Sequence, residues 1–222
     1  MIRRLVLAAL TIVPALVQPA RAETMLHLAE TATVMAPPDE LAATLRAEAA
    51  GTCASDAQAR VNAAMQEALA LARKVDSLTV STGGYGVWRT AERWQVSQAL
   101  NLSSHDGPAL LSLVGVLQQH GLVVSGLGWR LSRSAEKQAR QEATKQALAA
   151  LHGRVDEAAA LLGLRFDQFK QVRLDTAAQQ PMFRSMAAPM AANSGSAPPP
   201  SVVPEDVPVS ATAEADAVLL PR

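Results

Sequence analysis

Leu41, Ala43, Leu45, Ala47 and Ala49 alternate with Thr44, Arg46 and Glu48, the period of a half-buried strand. The same alternation runs through Trp94, Val96, Leu100 and Leu102, and through Val123, Leu127, Trp129 and Leu131. Its longest instance is Val207, Val209, Ala211, Ala213, Ala215, Ala217 and Leu219, interleaved with Ser210, Thr212, Glu214 and Asp216. Thr24–Met35 and Leu78–Val87 read as strands by their β-branched content, and Phe169–Leu174 as a short one. Helical spacing replaces alternation in three places. Val61, Met65, Ala68, Ala72 and Val75 share one helix face, with Ser55 or Asp56 as the expected cap. Leu110, Leu113, Val114 and Leu117 share another, between a cap at Asp106 and a stop at Gly121. Ala139, Ala143, Ala147, Leu151, Val155, Ala158 and Leu162 mark a long third helix, capped by Ser134 and ended by Gly163.

The element order is ββαββαβαββ. Its middle, βαββαβ from Leu41 to Leu131, is the split-βαβ order of ferredoxin-like folds. The chain therefore predicts an α+β protein: antiparallel sheet with helices on one face, a ferredoxin-like middle, a long helix and a C-terminal strand. The third helix, about 40 Å long at 1.5 Å per residue, is expected to overhang a small sheet and to offer its surplus length to a partner. Residues 177–204, rich in Ala, Pro, Ser and Met without periodicity, read as a mobile excursion. The main part is thus 23–176, completed by 205–222. A strand as regular as the last one either closes its own sheet or augments a neighbour's.

The first 22 residues stand apart. Arg3 and Arg4 precede an apolar run from Leu5 to Val17, and Ala20-Arg21-Ala22 closes the stretch. That is a cleavable signal peptide, with cleavage expected near Ala22-Glu23 and release to the periplasm. The apolar flank after the arginines favours ordinary secretion over the twin-arginine route. The leader carries Arg3, Arg4 and Arg21 and no acid, which leaves 17 basic against 20 acidic residues, about −3. Such a balance speaks against nucleic acid and anionic membranes as partners. No second stretch is long and apolar enough to span a bilayer. Cys53 is the only cysteine, so no internal disulfide forms. With 3% aromatic residues, the Ala-rich core is thin, and a subunit interface is an expected source of further stability.

Several stretches resemble one known family. Trp94-Gln95-Val96-Ser97-Gln98-Ala99-Leu100-Asn101-Leu102 is similar to a strand of SIMPL-domain (DUF541) proteins. Asp106–Gly121 resembles the helix that follows it there, and Val123–Ser132 the next strand. Ala160-Leu161-Leu162-Gly163-Leu164 resembles the family's helix ending, and Pro204–Thr212 its closing strand. The likeness covers nearly all of the chain after the leader. It implies an exported bacterial protein that self-assembles and is linked to oxidative-stress tolerance, and it supplies no established catalytic residue. Ser81–Arg93 is shorter than the family's usual hairpin and has lost most of its Tyr/Pro character. Cys53 is not a family hallmark.

Candidate chemistry is sparse. Ser103-Ser104-His105-Asp106 contains the residue types of a nucleophilic triad, but neighbours at a strand end do not make its directed hydrogen-bond chain, and no G-x-S-x-G elbow is present. A turn with a cap at Asp106 is the expected role. His27, His105, His120 and His152 lack metal-ligand spacing, and His120 and His152 are expected near helix C-termini. Met182, Met186 and Met190 recur every fourth residue, a soft-donor pattern that could hold Cu(I) or pack apolar surface at a contact. Cys53, between Gly51-Thr52 and a helix, is a redox candidate if it sits at the helix N-terminus. Gly83-Gly84-Tyr85-Gly86 matches neither phosphate-binding pattern and reads as a hairpin tip or bulge. Glu136 and Arg140 pair on a solvated helix face. The expectation is a non-enzymatic protein without cofactor that forms homo-oligomers through the long helix and the last strand. The alternatives are a ligand- or copper-binding module using the methionine segment and, more remotely, a hydrolase.

Overall fold

The computed structural model describes residues 23–175 and 202–222. Within them the chain runs β1 (Thr24–Ala36), β2 (Glu40–Gly51), α1 (Ala54–Ala72), β3 (Thr79–Thr90), β4 (Arg93–Ser104), α2 (Gly107–Gln119), β5 (Val123–Arg130), α3 (Arg133–Leu161), β6 (Leu164–Asp175) and β7 (Val207–Pro221). The class is α+β, as the pattern predicts. Residues 1–22, expected to be a leader, and most of 177–204, expected to be a mobile excursion and including Met182, Met186 and Met190, lie outside the described residues.

The strands divide between two antiparallel sheets, β3-β4-β2-β5 and β1-β7-β6. Alternation says which face of a strand is buried but not which strand it joins, so a second sheet was not readable from the pattern. The first sheet, with α1 and α2, is the ferredoxin-like middle. Leu41, Leu45, Leu100, Leu102, Val61, Leu110 and Val114 form its core. The second sheet carries α3, and its core is built mostly of alanine: Ala147, Ala213, Ala215 and Ala217, with Leu151, Val155 and Leu219. β7 lies in the middle of that sheet. It pairs with β1 from Thr24↔Leu219 to Ala36↔Val207, and with β6 on its other side. The last strand therefore closes its own sheet, paired with β1 along Val207–Leu219 and with β6 along Thr212–Pro221.

α3 is no longer than the central strand of its sheet. Its 29 residues span about 43 Å, while the 15 residues of β7 span about 50 Å. Its buried row is Ala139, Ala143, Ala147, Leu151, Val155 and Ala159. The every-fourth spacing continues to Ala159, so Ala158 and Leu162 leave the expected stripe, and Leu162 is exposed.

Local corrections have equally local causes. A bulge where β5 meets Thr44/Leu45 moves the inward position from Val123, 55% exposed, to Val124. β6 is twice as long as its alternation suggested, because its pairing with β7 skips Asp167 and Lys170 and breaks the period of two. Gly163, at φ +70°, turns the chain from α3 straight into it.

Candidate functional site

The residues singled out by their chemistry do not converge. Cys53 is exposed and occupies the N-cap position of α1, where Ser55 or Asp56 was expected. Its backbone is extended there, and its side chain makes no cap hydrogen bond. The Ser103–Asp106 run also disperses. Ser103 Oγ donates to Glu40 Oε1 at 2.8 Å, and Ser104 Oγ donates to the Ser77 carbonyl at 3.3 Å. Asp106 accepts from the Ala109 N–H at 3.0 Å, which is the predicted cap. His105 Nδ1 lies 2.6 Å from the Asp39 carbonyl oxygen. Each group points to a different partner, so no proton path links hydroxyl, imidazole and carboxylate.

Each histidine has an acidic neighbour of its own. His27 pairs with Asp216 across β1 and β7, His120 with Glu67 between α2 and α1, and His152 with Asp156 along α3. His120 is the C-cap of α2, as expected. His152 is not near the end of its helix: α3 runs on to Leu161, and the ring stands edge-on to Phe166 and Phe169 of β6. Among the described residues, no three His, Cys, Asp or Glu side chains gather as metal ligands would. The glycine run is a bulge in β3, with Gly84 at φ +50°; the hairpin turns later, between Thr90 and Arg93. Glu136 and Arg140 do pair on α3.

The densest polar cluster is one that residue types did not announce. Asp39, in the link from β1 to β2, accepts from Ser132 twice: the backbone N–H reaches Oδ1 at 2.6 Å and the hydroxyl reaches Oδ2 at 2.7 Å. Ser132 is the N-cap of α3, a role expected of Ser134; its Oγ accepts from the Ala135 N–H, and Ser134 Oγ lies 2.9 Å from it. The Asp39 N–H donates to the Arg130 carbonyl at 3.2 Å. Beside it, Arg130 Nε donates to Glu40 Oε2 at 2.8 Å. Partial burial pushes the Asp39 carboxyl up. The hydrogen bonds from Ser132, its own N–H and the His105 imidazole 3.8 Å away outweigh that and hold it below the usual carboxylate range. Nearby, Trp129 Nε1 donates to the Val202 carbonyl at 3.2 Å. Its ring lies over Gly107, where a Cβ would come within 2.9 Å of ring carbons, so no larger residue fits. Pro37-Pro38-Asp39 signals only a turn in the sequence; that Ser132 is its partner, 93 residues on, has no local signature.

This arrangement ties elements together. It defines a class: an α+β protein of two antiparallel sheets with a ferredoxin-like half. A family model, SIMPL, described as a protein of unknown function (DUF541), matches residues 26–216, and the chain belongs to that family. No curated protein matches it. No helix among the described residues is long and apolar enough to cross a membrane.

Proposed function

We propose that this SIMPL protein is exported to the periplasm and works there as a self-associating, non-enzymatic scaffold with an envelope or oxidative-stress role. Residues 1–22 support export, since they have the charged, apolar and small-residue parts of a cleavable leader. The stress role rests on family membership alone. Self-association rests on one observation, the apolar side chains on strands that form sheet edges among the described residues. β3 exposes Tyr85, Val87 and Trp88, and β6 exposes Val172 and Leu174. Edge strands with such side chains are templates for another chain. These edges join the long helix as contact elements, since β7 is the central strand of its sheet.

Light scattering on residues 23–222, with and without reductant, tests the reading. The expected result is an assembly larger than a dimer whose mass ignores reductant. A dimer that reductant dissolves would assign the contact to Cys53. A monomer under both conditions would end the scaffold reading.

A further inference from the structure

The two halves of the molecule have separate cores. One lies between β3-β4-β2-β5 and helices α1 and α2, the other between β1-β7-β6 and α3. The chain passes between the halves at residues 36–40 and at 130–133. The two crossings are bonded to each other. The Asp39 N–H donates to the Arg130 carbonyl, and both carboxylate oxygens of Asp39 are taken by Ser132. Bonds to an ionised acceptor are short and strong, and these are 2.6 and 2.7 Å. The same Ser132 caps α3, so the helix that organises the second half starts from the clasp. The first half grips it from its own side: His105 contacts the Asp39 carbonyl, and Glu40 ties Arg130 to Ser103.

We propose that Asp39 and Ser132 form a clasp that fixes the angle between the two halves, and that opening it lets them move as separate bodies. Hinges are commonly a few residues at element ends, where a small change in backbone angle swings a whole packed unit. The clasp lies at such ends, between β1 and β2 and between β5 and α3. Charged groups surround it from each packed element, with Arg133 next to Ser132 at the start of α3. His105 stands beside Asp39 on the α2 side, Glu40 and Arg130 neutralise each other on the sheet side, and on α3 Glu136 is taken up by Arg140. Acid therefore opens the wild-type clasp only where Asp39 itself is protonated, below the usual carboxylate range.

Two spin labels measure the angle. Cys53 is exposed in the first half, and Leu161→Cys adds an exposed site at the end of α3 in the second. Labelled protein diluted into unlabelled protein reports distances within one chain. The parent should give one narrow distance distribution at neutral pH. Asp39→Asn should broaden it at least twofold, and Ser132→Ala, which keeps the backbone bond to Oδ1, should broaden it less. Circular dichroism separates this from unfolding; if Asp39→Asn fails to fold, Ser132→Ala decides. A width unchanged in the folded variants overturns the proposal, as does a parent distribution already as broad as theirs.

Discussion

Asp39 receives two hydrogen bonds through its carboxylate, and its charge strengthens both. The sign of the resulting pH dependence follows. A carboxyl held below its unfolded value stabilises the fold fully above about pH 4, and that contribution is lost as the pH falls through the depressed folded value. Thermal melts from pH 7 to pH 2.5 check this. Wild type should lose more of its melting temperature over the range than Asp39→Asn, and the two should converge at the acid end. Parallel curves would mean that the carboxylate charge does not matter. Little of this cluster was legible. Asp106 was, because an N-cap makes its hydrogen bond within three residues. Ser132 was displaced to Ser134, since either serine can begin a helix and only the distant Asp39 selects between them. His152 was misplaced against the pattern itself, which already carried that helix to Gly163; what the pattern could not give was its ring contact with Phe166 and Phe169, on a strand broken by bulges.

At the scale of elements, the contact of α3 with its sheet is set by small side chains. Ala143 and Ala147 on the helix and Ala213 and Ala217 on β7 are fully buried. A methyl group on each side lets helix and sheet approach closely, and such an interface has no room for a longer side chain. Ala147→Leu should cost about 1–3 kcal/mol through overpacking, read from the urea midpoint. The same substitution at Gln146, which is exposed on the next position of the helix, should change stability by less than about 0.5 kcal/mol. Equal, small effects at both sites would show that the interface yields. Most of this interface was visible in the sequence, because the every-fourth alanines and the alternating alanines of β7 both declare a buried face. What they could not declare is that these two faces meet.

For the whole molecule, the two halves differ in how their contacts are drawn from the chain. The ferredoxin-like half is contiguous, from Glu40 to Arg130. The other joins β1 to β7, with Thr24 opposite Leu219. Contacts so far apart in sequence form slowly, since a long loop must close first. All three tryptophans, Trp88, Trp94 and Trp129, lie in the contiguous half. Refolding followed by tryptophan fluorescence should therefore finish in its main phase before the far-ultraviolet circular dichroism does. Coincident traces would show that the halves fold as one unit.

The central place of β7 would bear on the proposed export. A chain threaded out from its N-terminus presents β1 first, but β1 stays unpaired until the final fifteen residues of strand have emerged. In that interval, the alanine face of α3 lacks the central strand of the sheet it packs on. A chaperone that shields apolar surface would find its client in that nascent state, and would be released by the arrival of β7.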